Sequence, residues 1–413
     1  MRSEDGASVD ATDPTGRWQQ LTVLAVAMVL SMTTWFSASA VLPQLREEWN
    51  LSSTTASWLT IAVQLGFVAG ALLSATFNLA DLIAPRRLVL VGSLGAALAN
   101  LVLLVAGGPV LALPARFVTG AFLALVYPPA LKAMATWFRT GRGMALGVMV
   151  GALTLGSALP HFVNGVGGAR WELVVVVTSL ATAVGGLIAE FLTTDGPFPF
   201  ARGVFKPQQI GLTARHSGVR LASLGYFGHM WELYAMWAWF SAFFTDTLLL
   251  KGRTVDATTV SIVTFAVIGA GALGCALGGV LGDRWGRTST TAAAMSISGA
   301  CALSIGWIRH GPIWLTVAVG LVWGVSVVAD SAQFSAMVTE VADQAYVGTA
   351  VTLQLAAGFV LTVATIWLVP VVRDAVGWDW AFVLLVPGPV IGVAAMLRLR
   401  ASRYAAQIAG GRG

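Results

Sequence analysis

The chain alternates between long apolar stretches and short polar connections. Twelve stretches of about 20 mostly apolar residues follow one another, and a helix of that length crosses about 30 Å of hydrocarbon. We predict membrane-spanning helices, called spans 1 to 12 below, at 20–42, 54–76, 88–106, 110–135, 143–165, 171–193, 220–245, 258–281, 288–308, 312–337, 347–371 and 379–397. Helices satisfy all of their own backbone polar groups in lipid, so the pattern predicts an all-α integral membrane protein.

Composition supports this prediction, since 57% of the residues are hydrophobic and only 10% are charged, against about 25% charged in soluble domains. With the amino terminus placed in the cytoplasm, sixteen of the 24 Lys and Arg residues fall in cytoplasmic connections and six in outer ones. Lys and Arg residues are enriched in the cytoplasmic loops of membrane proteins. We therefore expect both termini in the cytoplasm of a multi-pass protein of the plasma (bacterial inner) membrane, and no nucleic-acid partner.

Polar segments divide the chain into two halves. A signal peptide begins with basic residues, whereas Glu4, Asp5 and Asp10 make the first segment acidic, so span 1 is expected to stay uncleaved. The predicted units are a disordered cytoplasmic tail at 1–19, a first six-helix bundle at 20–193, a cytoplasmic linker at 194–219, a second six-helix bundle at 220–398 and a cytoplasmic tail at 399–413.

The two halves repeat one another. The stretch 35–38, Trp-Phe-Ser-Ala, returns at 239–242, and Ala133-Met134-x-Thr136 returns at Ala336-Met337-x-Thr339. These matches keep their order at an offset of 203 or 204 residues. Repeats of this kind build transporters whose halves are related by an axis along the membrane normal, with the solute held between them. We predict two pseudo-symmetric bundles of six helices each.

A charged loop carries a family resemblance. Gly279-x-x-x-Asp283-x-x-Gly286-Arg287 resembles the G-x-x-x-D-x-x-G-R loop of the major facilitator superfamily, and residues 81–87 hold an eroded copy. The resemblance covers the whole chain and implies the fold of that family, in which the loop holds the cytoplasmic side closed. The implied latch residues are Asp81, Arg86, Arg87, Asp283, Arg284 and Arg287.

The first-half copy lacks two glycines and has Pro85 where Arg is expected. If Asp81 pairs with Arg86 or Arg87, that latch should be the weaker one. The alternative is that these charges cap helix ends and set the topology.

Charged side chains at membrane depth are expensive, and each is a candidate for function. Arg116 opens Arg116-x-x-x-Gly120, which resembles a family element whose Arg faces the central cavity. His229 and Glu232 lie three residues apart, on one face of span 7, and Asp330 lies in span 10. None of the four has a charged repeat mate, so we expect these residues to bind substrate or protons. A structural ion pair is the alternative for Arg116, and an ion pair or a helix-end charge near the cytoplasmic face is the alternative for Asp330.

Aromatic residues and one further histidine complete the candidates for substrate or proton binding. Trp35 and Trp239 are repeat mates that line a central cavity or, alternatively, serve packing and the interfacial belt. Tyr127 is the repeat mate of Asp330. His161 follows Pro160 in span 5 and is either a ligand or a hydrogen-bonded structural histidine.

The predicted function is secondary active transport of a small anionic solute by alternating access, coupled to protons. The alternative is proton-driven efflux of drugs or amphipathic metabolites, although span 5 lacks the Gly-Pro pair of the family's drug antiporters. The stretches 127–129 and 142–147 are loosely similar to bacterial nitrate, nitrite and cyanate porters. The chain has no enzyme motif or metal-ligand spacing, so we expect no enzymatic activity, metal or cofactor. The expected state is a monomer surrounded by lipid, and the expected partners are a solute and H+.

Overall fold

The computed structural model describes residues 14–168, 170–198, 207–343 and 346–413, which are predominantly helical. Within these ranges, eleven helices are long and apolar enough to cross a membrane. They are Thr54–Thr76, Pro85–Val105, Pro109–Ala135, Arg142–Val166, Trp171–Leu192, Ser217–Leu250, Ala257–Trp285, Arg287–Ile308, Ile313–Val341, Val347–Val376 and Trp378–Arg400. They correspond to spans 2 to 12, so the predicted all-α, multi-pass fold is confirmed.

Span 1 is interrupted, whereas the sequence pattern predicted one helix at 20–42. It consists of Arg17–Ser31, Ser37–Ala40 and Leu42–Glu48. Its first helix begins inside the predicted tail at 1–19, of which residues 1–13 lie outside the described part of the chain. The turns between the first two helices free backbone carbonyls at membrane depth, and the apolar pattern alone shows no sign of this break.

Further spans contain local breaks. Span 4 is Pro109–Leu123 followed by Tyr127–Ala135, and span 10 is Ile313–Ala329 followed by Ser331–Val341. The two breaks fall at repeat-related positions, since Tyr127 and Asp330 are 203 residues apart. The other component and connecting helices are Leu79–Leu82, Val102–Val105, Pro207–Gln209, Ile210–Arg215, Ala257–Gly269, Gly271–Trp285, Trp378–Ala381, Val383–Leu385, Pro387–Arg400 and Arg403–Gly411.

Two long seams join the halves. Span 5 runs along span 8, and span 2 runs along span 11. Spans 2 and 8 are repeat mates, as are spans 5 and 11, so the two seams are related to one another by the pseudo-two-fold axis. At the second seam, the rings of Phe67 and Phe359 have centroids 4.5 Å apart.

Small residues allow the spans to approach closely. A Cβ built on Gly147 of span 5 would lie 2.5 Å from the carbonyl oxygen of Cys275 in span 8. A Cβ on Gly120 of span 4 would lie 2.0 Å from the carbonyl oxygen of Val63 in span 2. In a bilayer the hydrophobic effect does not drive helices together, and such close packing provides the contact energy instead.

The face of the bundle that contains Arg87, Gly143 and Asp283 is called the tail face below. The chain enters the bundle on this side at Arg17 and leaves it after Arg400. The segment Arg403–Gly411 then packs beneath the second half, where the backbone N–H of Thr288 donates to the carbonyl oxygen of Gly413 at 3.2 Å. Part of the predicted linker, 199–206, lies outside the described residues.

Candidate functional site

A buried carboxylate occupies the interior of the second half. The side chain of Glu232 in span 7 is 1% exposed. Its Oε2 accepts a hydrogen bond from Ser298 Oγ at 2.9 Å and its Oε1 accepts one from Trp323 Nε1 at 2.6 Å. Both donors are uncharged. Among the described residues no Lys or Arg forms an ion pair with Glu232. Only hydrogen bonds from neutral donors would therefore stabilise its negative charge.

A second acidic group lies beside an imidazole. His229 Nδ1 and Asp330 Oδ1 are 2.8 Å apart, and each side chain is 1% exposed. Ring and carboxylate are not aligned for a regular hydrogen bond, so the two groups form a close polar contact. His229 lies one turn before Glu232 on span 7, and Asp330 stands at the break of span 10. The structure therefore brings together the three residues of the second half that the sequence singled out.

Arg116 belongs to a different site. Its side chain is fully buried, and all five of its hydrogen-bond acceptors are uncharged and lie in the first half. They are Thr34 O at 2.9 Å, Trp35 O at 2.5 Å, Leu59 O at 3.4 Å, Ser37 Oγ at 3.1 Å and Asn100 Oδ1 at 2.8 Å. The guanidinium thus holds the carbonyls that the break in span 1 leaves without helical partners. It does not meet Glu232 or Asp330.

Six buried aromatic side chains fill the centre of the molecule and are called the central aromatic cluster. They come from spans 1, 2, 7 and 11 and are Trp35, Phe36, Phe67, Tyr234, Trp237 and Phe359. The rings of Trp35 and Tyr234, one from each half, are stacked with centroids 5.8 Å apart. The cluster closes the space between the halves at this depth.

The remaining predicted site residues are dispersed. Trp239 donates from Nε1 to the carbonyl oxygen of Ile366 at 2.9 Å, which ties span 7 to span 11. Tyr127 packs at the edge of the core at the break of span 4. His161 is 1% exposed, and within the described ranges neither ring nitrogen has a hydrogen-bond partner.

The charged loop of the second half forms a network at the tail face. Arg287 binds Glu340 at the end of span 10 through Nε at 3.0 Å and through a second nitrogen at 2.9 Å. Another guanidinium nitrogen donates to Gln333 Oε1 at 2.7 Å and lies 3.6 Å from Asp283. Gly286 between spans 8 and 9 has φ +95°, a conformation in which glycine avoids strain, which explains the glycine before Arg287.

Asp283 connects this network to the first half. A Cβ built on Gly143 would lie 2.4 Å from Asp283 Oδ1, so the carboxylate sits against the first turn of span 5, Arg142–Val166. Helix N-termini attract negative charge because their first N–H groups are unpaired. Arg284 is exposed on the tail face and has no such contact with the described residues across the seam.

The eroded loop of the first half is built differently. Arg87 Nε lies 3.7 Å from Glu190 Oε1 of span 6, with 68% of the Arg87 side chain exposed. Ala84 takes the place of Gly286 and has φ −54°, and the chain turns instead at Asn78 with φ 49°. The side chain of Asp81 lies outside the described part, so its predicted pairing with Arg86 or Arg87 stays a prediction.

Sequence reasoning missed several partners of the predicted residues. Ser298 and Trp323 hold Glu232, and Gln333 and Glu340 hold Arg287. A signal for the latter pair was present, because Asp330, Gln333 and Glu340 recur at spacings of three and seven along one face of span 10. Among the described residues, no group of three or more His, Cys, Asp or Glu side chains could hold a metal ion.

Comparison with known proteins identifies the family. A family model described as "Major Facilitator Superfamily" matches residues 24–250, which is more than half of the chain. The protein belongs to the major facilitator superfamily. A second model, "Sugar (and other) transporter", matches residues 221–410 of this superfamily member, so the matched regions cover both halves.

Individual relatives of this superfamily member share parts of the chain. It is 31% identical to "Multidrug efflux pump LfrA" of Mycolicibacterium smegmatis over 39% of the chain and 32% of the relative. It is 26% identical to "Probable sulfoacetate transporter SauU" of Cupriavidus necator over 60% of each protein. It is 33% identical to "Puromycin resistance protein pur8" of Streptomyces alboniger over 37% of the chain and 30% of the relative. The matches thus span less than two thirds of each relative.

Proposed function

We propose that this protein is a secondary active transporter that moves a small organic solute across the plasma membrane by alternating access and couples the movement to protons. The observation that carries the proposal is the buried acidic site of the second half. Glu232 and the His229–Asp330 pair lie one helical turn apart, at membrane depth, with no Lys or Arg as ion-pair partner in the described chain. The parallel halves and their two seams support the alternating-access part of the proposal.

A desolvated carboxylate is an effective proton carrier. Burial in a low-dielectric medium disfavours the charged form, whereas exposure to water on either side of the membrane favours it. Each separation of the halves would change the hydration of Glu232 and Asp330 and therefore their proton occupancy. Within this proposal the tail face is cytoplasmic, and Asp283, Arg287 and the Arg87–Glu190 pair form latches that keep it closed.

Two solute classes follow from separate observations. Arg116 and the similarity to a probable sulfoacetate transporter favour an anion, as the sequence predicted. The central aromatic cluster and the similarity to a multidrug efflux pump and a puromycin resistance protein favour an amphipathic compound. The geometry favours the second class, because the guanidinium of Arg116 already serves five uncharged acceptors while aromatic rings fill the space between the halves.

The proton-coupling proposal is tested in proteoliposomes that carry a pH-sensitive dye in the lumen. Addition of sulfoacetate or puromycin across an imposed pH gradient should produce a solute-dependent proton flux. Glu232→Gln and Asp330→Asn should each reduce the solute-dependent flux at least about tenfold, since an amide cannot carry the proton. Glu172→Gln removes an exposed carboxylate at the start of span 6 and should leave the flux unchanged. Undiminished flux in both Glu232→Gln and Asp330→Asn would refute the proposed coupling site.

A further inference from the structure

Four buried polar groups around the central aromatic cluster lack hydrogen-bond partners among the described residues. They are the indole Nε1 atoms of Trp35 and Trp237 and both polar atoms of the Gln64 and Gln354 side chains. All four side chains are at most 2% exposed. A buried polar group without a partner is costly, and in native proteins such groups call for a specific explanation. Lipid cannot provide the missing hydrogen bonds.

The positions of these groups follow from their helices. Gln64 shares one face of span 2 with Thr60 and Phe67, at spacings of four and three. Thr60 Oγ1 is 2.7 Å from Ser39 Oγ of span 1, and the rings of Phe67 and Trp35 are in tilted contact with centroids 4.9 Å apart. Gln64 therefore faces the centre of the molecule between these two contacts.

Along the bundle axis, the two glutamines lie on opposite sides of the Phe67–Phe359 ring contact. Spans 2 and 11 cross the bundle in opposite directions, and their rings Phe67 and Phe359 meet. Gln64 precedes Phe67 by three residues and Gln354 precedes Phe359 by five, so the amides lie on opposite sides of that ring contact. At 1.5 Å per residue the separation along the axis is about 12 Å, a length that a compound of two or three fused rings with polar ends spans.

The chemistry of this region selects uncharged ligands. The side chains of the cluster carry no formal charge, and the buried groups Arg116 and Glu232 are bound to other partners. Arg116 holds the break in span 1, and Glu232 is bound by Ser298 and Trp323 inside the second half. An amide offers both a donor and an acceptor, whereas the indoles offer donors only.

We propose that the seam between the halves binds planar, uncharged aromatic compounds that carry hydrogen-bonding groups at both ends. The rings of Trp35, Tyr234 and Phe359 would stack on the solute, and Gln64, Gln354 and the indole N–H of Trp237 would bind its polar ends. The stacked contacts that join the halves in this structure are the contacts that such a solute replaces when the halves separate. This inference rests on the proposed transport function and names its solute class.

Equilibrium binding to the purified full-length protein tests the inference with a matched pair of probes. Naphthalene-2,6-dicarboxamide is uncharged and has an amide at each end, and naphthalene-2,6-dicarboxylate has the same ring system with two negative charges. Isothermal titration calorimetry should show the diamide binding at least about tenfold more tightly than the dicarboxylate. Failure of the diamide to bind the folded wild-type protein, or tighter binding of the dicarboxylate, overturns the inference.

Paired tryptophan variants assign the binding to the cluster. Trp237→Phe keeps a ring but removes an N–H that has no partner in the described part of the chain, and it should weaken diamide binding about tenfold without lowering the melting temperature. Trp239→Phe is the matched control on the same helix, because its N–H already donates to Ile366. It should lower the melting temperature and leave binding unchanged.

Gln64→Leu offers a second variant. Elution of the purified variant as a monodisperse peak checks that it is folded. Wild-type affinity in both Trp237→Phe and Gln64→Leu contradicts the site.

The same preparation separates this inference from the proposed function. Solute-dependent proton flux with sulfoacetate, in a protein that does not bind the diamide, would refute the aromatic site and leave proton-coupled transport standing. Diamide binding that requires Gln64 and Trp237, in a protein that moves no solute under a pH gradient, would support the site and refute transport.

Discussion

At the scale of single residues, Arg116 shows how a charged side chain is kept at membrane depth. Its five acceptors include the carbonyls of Thr34 and Trp35, which lie at the break of span 1. Hydrogen bonds from a charged donor are stronger than neutral ones, and a planar guanidinium can serve several acceptors at once. The side chain therefore provides hydrogen bonds that backbone N–H groups provide in a continuous helix.

Arg116→Gln should reduce the free energy of unfolding by at least about 3 kcal/mol, because each buried carbonyl left unpaired costs about 1–3 kcal/mol. Arg116→Lys should recover only part of this loss, since an ammonium group cannot reach all five acceptors. Thermal unfolding of the purified variants measures the effect, and Arg253→Gln, a change at an exposed arginine, is the control.

A different result for Arg116→Lys would support the prediction that the solute is an anion. If that variant melts like the wild type but no longer transports sulfoacetate, the guanidinium binds the solute. Its hydrogen bonds to the first half would then be those of a resting state.

At the scale of helices, the seam between spans 5 and 8 depends on the absence of side chains. Gly147 lies against the backbone of Cys275 over a distance that no Cβ can occupy. Gly269 lies on the same seam, but a Cβ there would meet its neighbours at 3.7 Å or more, which is ordinary van der Waals contact. The two glycines, one in span 5 and one in span 8, thus differ in the space that an added Cβ would find.

Gly147→Ala should destabilise the protein by about 1–3 kcal/mol, the usual cost of overpacking, because spans 5 and 8 must move apart. Gly269→Ala should be neutral or slightly stabilising, since alanine favours the helix over glycine. Melting curves of the two variants in the same detergent make the comparison. Equal melting temperatures would show that the seam is looser than its geometry indicates.

At the scale of the whole molecule, the two halves share a design but differ in their polar chemistry. The second half contains the buried acids and the extended Arg287 network, whereas the first half contains Arg116 and the simpler Arg87–Glu190 pair. Across the tail face, the described contact of the Asp283 carboxylate is with the first turn of span 5. This asymmetry suggests that the second half provides the stronger latch.

Asp283→Asn should open the tail face more often, because a neutral amide interacts less with the start of span 5 and with Arg287. A cysteine introduced as Met144→Cys reports this opening through its rate of reaction with a maleimide. The rate should rise about two- to fivefold, which corresponds to the 0.3–1 kcal/mol typical of a charge at a helix end.

Arg284→Gln is the control for this latch experiment, since Arg284 is exposed and no described residue of the first half forms a hydrogen bond or ion pair with it. The parent protein gives the background from Cys275 and Cys301, which are both buried. Equal labelling rates in Asp283→Asn and Arg284→Gln would mean that the Asp283 contact does not hold the halves together.

The sequence predicted the spans well because apolar length is a local property. Predicted and observed ends differ by a few residues in most spans, as for span 9 at 288–308 against Arg287–Ile308. The sequence also brought His229 and Glu232 to one face of span 7. It did not reveal the break in span 1, because the residues that stabilise the break, Asn100 and Arg116, come from spans 3 and 4.

By itself, the sequence determined that this chain is a duplicated, all-helical membrane protein. It has a cation in one half and acids in the other, and none of them has a charged residue at the repeat-related position. Hydrophobic length, charge distribution and repetition along the chain carry that information. Only the tertiary structure decided which groups meet, because hydrogen bonds and ring contacts join residues from different spans. It separated Arg116 from Glu232, paired His229 with Asp330, and placed a neutral aromatic cluster with unsatisfied polar groups between the halves.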